Sequence, residues 1–121
     1  MTTQQSTNDY SISLENNITL FNHASTNGLN MEGVLTYTYL FSGPTMRSVK
    51  NFANALKKEK FVRGRRYPIC KGKKIAIELK RKEAHTPHTL YELEIKLAEF
   101  SLRHAVEYGG FEADVYMNTA K

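Results

Sequence analysis

At 121 residues, 40% hydrophobic and 24% charged, the chain is sized for one soluble domain around one core. No apolar run approaches the ~20 residues that a bilayer-spanning helix needs, and Met1–Asp9 lacks the basic start and apolar centre of a secretory signal. A single cysteine, Cys70, excludes an internal disulfide framework, so cytoplasmic residence is expected. The formal net charge is +5, and it is unevenly distributed.

Residues 1–33 read as an N-terminal extension. Met1 to Ser11 is rich in Thr, Gln, Ser and Asn and is expected to be disordered or loosely tethered. Ser13 to Ala24 has a rough apolar face, Leu14, Ile18, Leu20 and Phe21, consistent with a short helix. Ser25-Thr26-Asn27-Gly28 is a loop signal. Residues 34–121 read as the main domain. From Val34 to Phe41, Leu35, Tyr37, Tyr39 and Phe41 alternate with threonines, which predicts a half-buried strand. Ser42-Gly43-Pro44-Thr45 breaks it and opens a helix, with Ser42 or Thr45 as cap and Met46, Val49, Phe52, Ala53 and Leu56 as the buried stripe.

Phe61–Cys70 and Lys73–Arg81 predict two strands joined at Lys71-Gly72, with Pro68 marking the first as an edge strand because proline cannot donate to a ladder. Thr89-Leu90-Tyr91-Glu92 has the form of a capping box ahead of a second helix. Leu90, Leu93, Leu97, Phe100 and His104 follow at steps of three and four, so they share one helical stripe. The period then changes to two, with Phe111, Ala113 and Val115 on one side of a last strand and Glu112, Asp114 and Tyr116 on the other. Gly109 and Gly110 sit where a helix-to-strand corner, or a bulge at the strand's start, needs positive φ. The order β-α-β-β-α-β defines a ferredoxin-like α+β sandwich, a four-stranded antiparallel sheet with two helices on one face. The second helix is apolar over so wide an arc around Glu94 that it needs a second cover, either the N-terminal segment or a partner.

These residues carry a resemblance. Leu93-Glu94, Leu97, Phe100, His104 and the run Glu107-Tyr108-Gly109-Gly110-Phe111-Glu112 resemble the regulator of ribonuclease activity B family, also called ribonuclease E inhibitors. Gly109 stands where the family usually has an acid, and Phe111 where it usually has tryptophan. Tyr39-Leu40-Phe41 and the helix end Ala55 to Phe61 resemble the family's first strand and helix more loosely. The resemblance implies a non-catalytic protein that binds and restrains an endoribonuclease.

Charge supplies the candidate site. Twelve of the seventeen basic residues lie between 57 and 82, where only Glu59 and Glu78 oppose them, and the rest of the chain is net negative. The hairpin residues Arg63, Arg65, Arg66, Lys71, Lys73 and Lys74 are therefore the candidate partner-binding set. Cations on an outer strand also protect it from pairing with other sheets. The sharper reading is an anionic partner, an acidic protein surface or nucleic acid. Six phosphate contacts would give a log–log salt slope of about −5. The predicted third strand offers Ala76, Glu78 and Lys80, and no aromatic, opposite its apolar side, which argues against base stacking.

Catalytic signals are weak. His85 and His88 flank Thr86-Pro87 but have only Glu83 nearby, too few ligands for a tetrahedral zinc site. Cys70 has cationic neighbours and no base, and it reads as an ordinary strand cysteine. No phosphate loop, paired acids or Ser-His-Asp pattern is present, so no catalytic residue, metal or cofactor is assigned. The expected function is occlusion of a nuclease surface by a monomer or weak dimer that contacts no membrane. An immunity protein that neutralises a cognate nuclease toxin is a close alternative. An RNA-binding module using the basic hairpin as a phosphate clamp is the rival of another class.

Overall fold

The computed structural model describes residues 11–114 and 116–117. Residues 1–10 of the segment expected to be disordered, Met1 to Ser11, and the placement of Val115 beside Phe111 and Ala113 lie outside the described residues. Helix α1 spans Leu14–Thr26, with Ser13 as N-cap accepting from the Asn16 N–H at 3.1 Å. After it come β1 (Leu29–Asn30), β2 (Leu35–Gly43), α2 (Met46–Ala55), β3 (Val62–Ile69), β4 (Lys74–Glu83), α3 (Pro87–Arg103), β5 (Glu107–Ala113) and β6 (Tyr116–Met117).

Four strands form an antiparallel sheet in the order β3-β4-β2-β5, which is the ferredoxin-like arrangement. Tyr39 pairs with Leu79 on one side and Phe111 on the other, so these side chains share a face. That face carries the core. Phe41 meets Phe52 of α2, with ring centroids 4.6 Å apart, and Phe52 in turn meets Phe100 of α3 at 5.7 Å. Leu35, Tyr37, Tyr39, Phe41, Val49, Phe52, Ile77, Leu79 and Leu90 are all buried, each side chain contributing about 1.5–3 kcal/mol by removal from water.

Thr45 caps α2 in a reciprocal box with Ser48. Gly43 lets β2 turn tightly into that helix, since a Cβ there would lie 2.6 Å from Ser48 Oγ and 3.1 Å from Val49. The start of α3 differs from the sequence expectation. Its cap is Thr86, Pro87 fills the first turn, and Thr89 is the box's third helical position rather than its cap. The helix-to-strand corner also moves. It falls at Ala105, a non-glycine residue with φ 58°, where Val106 N–H donates to Ser101 O at 2.9 Å. Of the two expected roles, the glycines take the bulge: Leu40 pairs with Gly110 and Phe41 with Tyr108, leaving Gly109 as the extra residue and Gly110 at φ 108°.

The second cover for α3 is α1. Asn17 of α1 is buried and donates from Nδ2 to Glu94 Oε1 at 3.3 Å, and the Tyr108 hydroxyl donates to Glu94 Oε2 at 2.6 Å. Glu94 is 0% exposed and ties α1, α3 and β5 together. The pairing of β1 with β6 was not foreseen, because two-residue strands carry no periodic signal.

Candidate functional site

The β3–β4 ribbon holds all six candidate residues, and it divides them. β3 is an edge strand, with Pro68 in it. A register shift between Arg63 and Arg66 turns successive arginines to opposite faces. Arg63 reaches the helix layer and donates to Asn54 Oδ1, and Arg66 Nη1 lies 3.4 Å from Met46 Sδ. Arg65 lies on the open face, where Nη2 bonds Glu78 Oε2 at 2.9 Å and its guanidinium stacks 5.2 Å from the Tyr67 ring centroid. The Arg65 side chain remains 77% exposed, while that of Glu78 is 7% exposed. The hydrogen bond from Arg65 holds the Glu78 carboxyl below the usual carboxylate range, against the opposing pull of burial. Lys74 Nζ reaches across β2 to Glu107 Oε1 at 2.8 Å.

Lys71 and Lys73 flank the connecting turn, are exposed, and make no ion pair among the described residues. That turn runs left-handed through Cys70 (φ 53°), Lys71 (φ 57°) and Gly72 (φ 85°). Cys70 therefore sits in the turn rather than in the strand.

Among the described residues, no helix covers the sheet's other face. Its central positions are Thr36, Thr38 and Leu40 on β2 and Ala76, Glu78 and Lys80 on β4. Tyr37, Tyr39 and Phe41, the aromatic residues of β2, are buried on the helical side. The exposed face thus lacks the central aromatic platform of single-strand RNA modules.

A second polar cluster closes the far end of β4. Tyr39 donates its hydroxyl to Glu83 Oε2, Arg81 Nε bonds Glu83 Oε1, and His85 Nε2 lies 3.0 Å from Glu83 Oε2. Burial pushes the Glu83 carboxyl up, but hydrogen bonds from His85, Tyr39 and Arg81 outweigh it and hold the group below its ordinary value. Burial raises the Tyr39 hydroxyl strongly, and pushes Tyr37 up to about 12 with Glu83's charge adding to the effect. His85 thus belongs to a half-buried hydrogen-bond cluster, whereas His88 is exposed at the start of α3. Among the described residues, no group of three or more His, Cys, Asp or Glu is placed to hold a metal.

One concavity of the fold was not visible in the sequence. An open groove of about 1090 Å³ runs between the C-terminal end of α2 and the outer side of α3. Leu56, Phe61, Leu93, Leu97 and Phe100 form its apolar floor. Lys57, Lys58, Arg81, Lys96 and Arg103 rim it, against two carboxylates, Glu59 and Glu99. Arg81 lies 4.0 Å over the Phe61 ring centroid and donates to Glu59 O at 3.0 Å, which fixes one wall. Lys57, Lys58, Lys96 and Arg103 make no ion pair among the described residues.

By architecture the molecule is a ferredoxin-like α+β sandwich extended by α1 and a two-stranded ribbon. Within that class, the family model described as Regulator of ribonuclease activity B matches residues 14–113, from the start of α1 to the end of β5. The chain belongs to this family of regulators of ribonuclease activity. A search of curated proteins finds no match. Among the described residues, no helix is long and apolar enough to cross a membrane.

Proposed function

We propose that the protein is a non-catalytic regulator that binds an endoribonuclease and restrains it by covering a substrate- or partner-binding surface. The observation that carries this reading is the family match over residues 14–113. The charge distribution supports a protein partner with an acidic face. Arg65 is largely exposed, and Lys71 and Lys73 project from the ribbon's turn, so the hairpin projects a positive field into solvent. Complementary charge of this kind raises the association rate and selects the partner more than it adds affinity. Occlusion asks only for a stable platform and a fitted surface.

The test is titration of the full chain into a cleavage assay containing endoribonuclease recovered from the native host. Cleavage should fall with added protein and level off at stoichiometric binding. An unchanged rate at saturating protein overturns the reading. The rival, a phosphate clamp, is judged by affinity for a short RNA across a salt series. A slope near −5 in that series, with no effect on the nuclease itself, favours RNA as the partner.

A further inference from the structure

The groove between α2 and α3 combines an apolar floor with cations that make no ion pair among the described residues. Its lining comes from α2, α3, residues 56–61, Arg81 of β4 and His104, with none from the edge strand β3, and the main-chain groups of α2 and α3 are largely bonded within those helices. An extended peptide lying there would find no sheet edge to pair with, so a guest segment must satisfy its own backbone, as a helix does. The floor, Leu56, Phe61, Leu93, Leu97 and Phe100, then suits the apolar stripe of that helix. The rim sets its flanks. Five cations stand against two carboxylates, and four of the cations make no ion pair among the described residues, so acidic residues beside the stripe would meet positive charge. At about 1090 Å³ and open to solvent, the groove exceeds most small-molecule pockets, which run to about 1,000 Å³ and enclose their ligands.

We infer that this groove is the docking site for an acidic amphipathic helix carried by the protein's partner. The identity of the helix's bearer rests on the regulator reading above. The chemistry of the groove does not. The basic ribbon then acts at a distance, drawing in an acidic partner, and the groove forms the close contact.

The experiment uses the full chain and a fluorescein-labelled peptide of about sixteen residues, some four helical turns. The peptide carries leucines at i, i+3, i+4 and i+7 spacing, flanked by glutamates. Anisotropy titrations compare the wild type with two variants: the groove triple Lys57→Glu, Lys58→Glu, Lys96→Glu, and the ribbon double Lys71→Glu, Lys73→Glu. Thermal melting confirms that both variants fold. The groove triple should weaken binding at least about tenfold and the ribbon double by no more than about threefold. A scrambled peptide of the same composition should bind at least about tenfold more weakly, because its leucines no longer share a face. The inference is overturned if the scrambled peptide binds as well, if the ribbon double loses as much as the groove triple, or if Leu93→Ser leaves affinity unchanged. Failure of the regulator reading has a separate signature, an endoribonuclease whose cleavage the protein does not alter, and that result leaves the peptide titrations as they stand.

Discussion

The basic stretch from Lys57 to Lys82 ends in two different kinds of surface. In the β3–β4 ribbon, four of the six candidate cations meet internal partners: Arg63 on Asn54, Arg65 on Glu78, Arg66 against Met46 and Lys74 on Glu107. At the groove, Lys57 and Lys58 stand beside apolar side chains with no ion-pair partner among the described residues, and α3 adds Lys96 and Arg103 from outside the stretch. Charge density along a sequence is therefore a poor guide to charge available for a partner. Cross-strand register decides which cations are neutralised at home, and helix packing decides which are gathered over an apolar floor.

The groove exists only while α3 keeps its position, so the largest effect should come from the buried carboxylate that anchors that helix. Glu94→Ala removes the acceptor of both Asn17 and Tyr108 and leaves a cavity at a fully buried site. The expected loss is about 3 kcal/mol, since two donors lose a buried carboxylate acceptor and packing is lost together. Glu94→Gln keeps the shape and one acceptor and should lose less. Urea denaturation measures both, and a loss under about 1 kcal/mol for the alanine variant would show that α3 is held by other contacts.

Next in size is the cluster at the β4 end, which sets the groove's Arg81 wall. Because the Glu83 pKa is lowered on folding, this group stabilises the protein above the unfolded carboxylate value of 4.5, and that contribution disappears as pH falls through the lower folded value. Glu83→Gln should destabilise by about 1–2 kcal/mol at neutral pH, because charge-assisted bonds to Arg81 and His85 are weakened. The variant should also flatten the decline in stability below about pH 4.5. Thermal melts from pH 3 to 7 test this, and parallel curves for wild type and variant would remove Glu83 from the account. A smaller change, about 1 kcal/mol, is expected for Thr86→Ala, which deletes the cap of α3 without touching its buried face. An effect indistinguishable from zero would mean that Pro87 and the Thr89 hydroxyl suffice to start the helix.

Much of the scaffold was legible before any coordinates, and the reasons are local. The alternation Leu35, Tyr37, Tyr39, Phe41 and the stripe Leu90, Leu93, Leu97 write the core directly into the chain, and Pro68 correctly marked an edge strand. The wide apolar arc around Glu94 correctly called for a second cover, which α1 supplies. What failed was conformation without a compositional mark. Ala105 takes the left-handed turn that glycine normally signals, although the expected bulge at Gly109 and Gly110 is there. The groove was illegible for a different reason: its floor joins residues 56–61 to residues 93–100, and no pattern within either segment reveals the space between them. The partners of Arg63, Arg65 and Lys74 were hidden likewise, because register and not sequence spacing brings Asn54, Glu78 and Glu107 to them.

The smallest structural effect should come from the ribbon's turn, where the comparison between the two surfaces is sharpest. Lys71 and Lys73 are exposed and make no ion pair among the described residues, so reversing both should change stability by no more than about 0.5 kcal/mol. Their work, if the ribbon steers an acidic ribonuclease, is done before contact. The double reversal should then lower the association rate with the nuclease several-fold at low salt and leave the dissociation rate nearly unchanged. The rate difference should shrink as salt approaches 1 M, where the Debye length falls to about 3 Å. The groove triple should behave in the opposite way, with most of its loss in faster dissociation, because close contacts govern escape. Stopped-flow association and surface-based dissociation of the same complexes separate the two. A ribbon variant that accelerates dissociation as much as the groove triple would place Lys71 and Lys73 inside the contact itself.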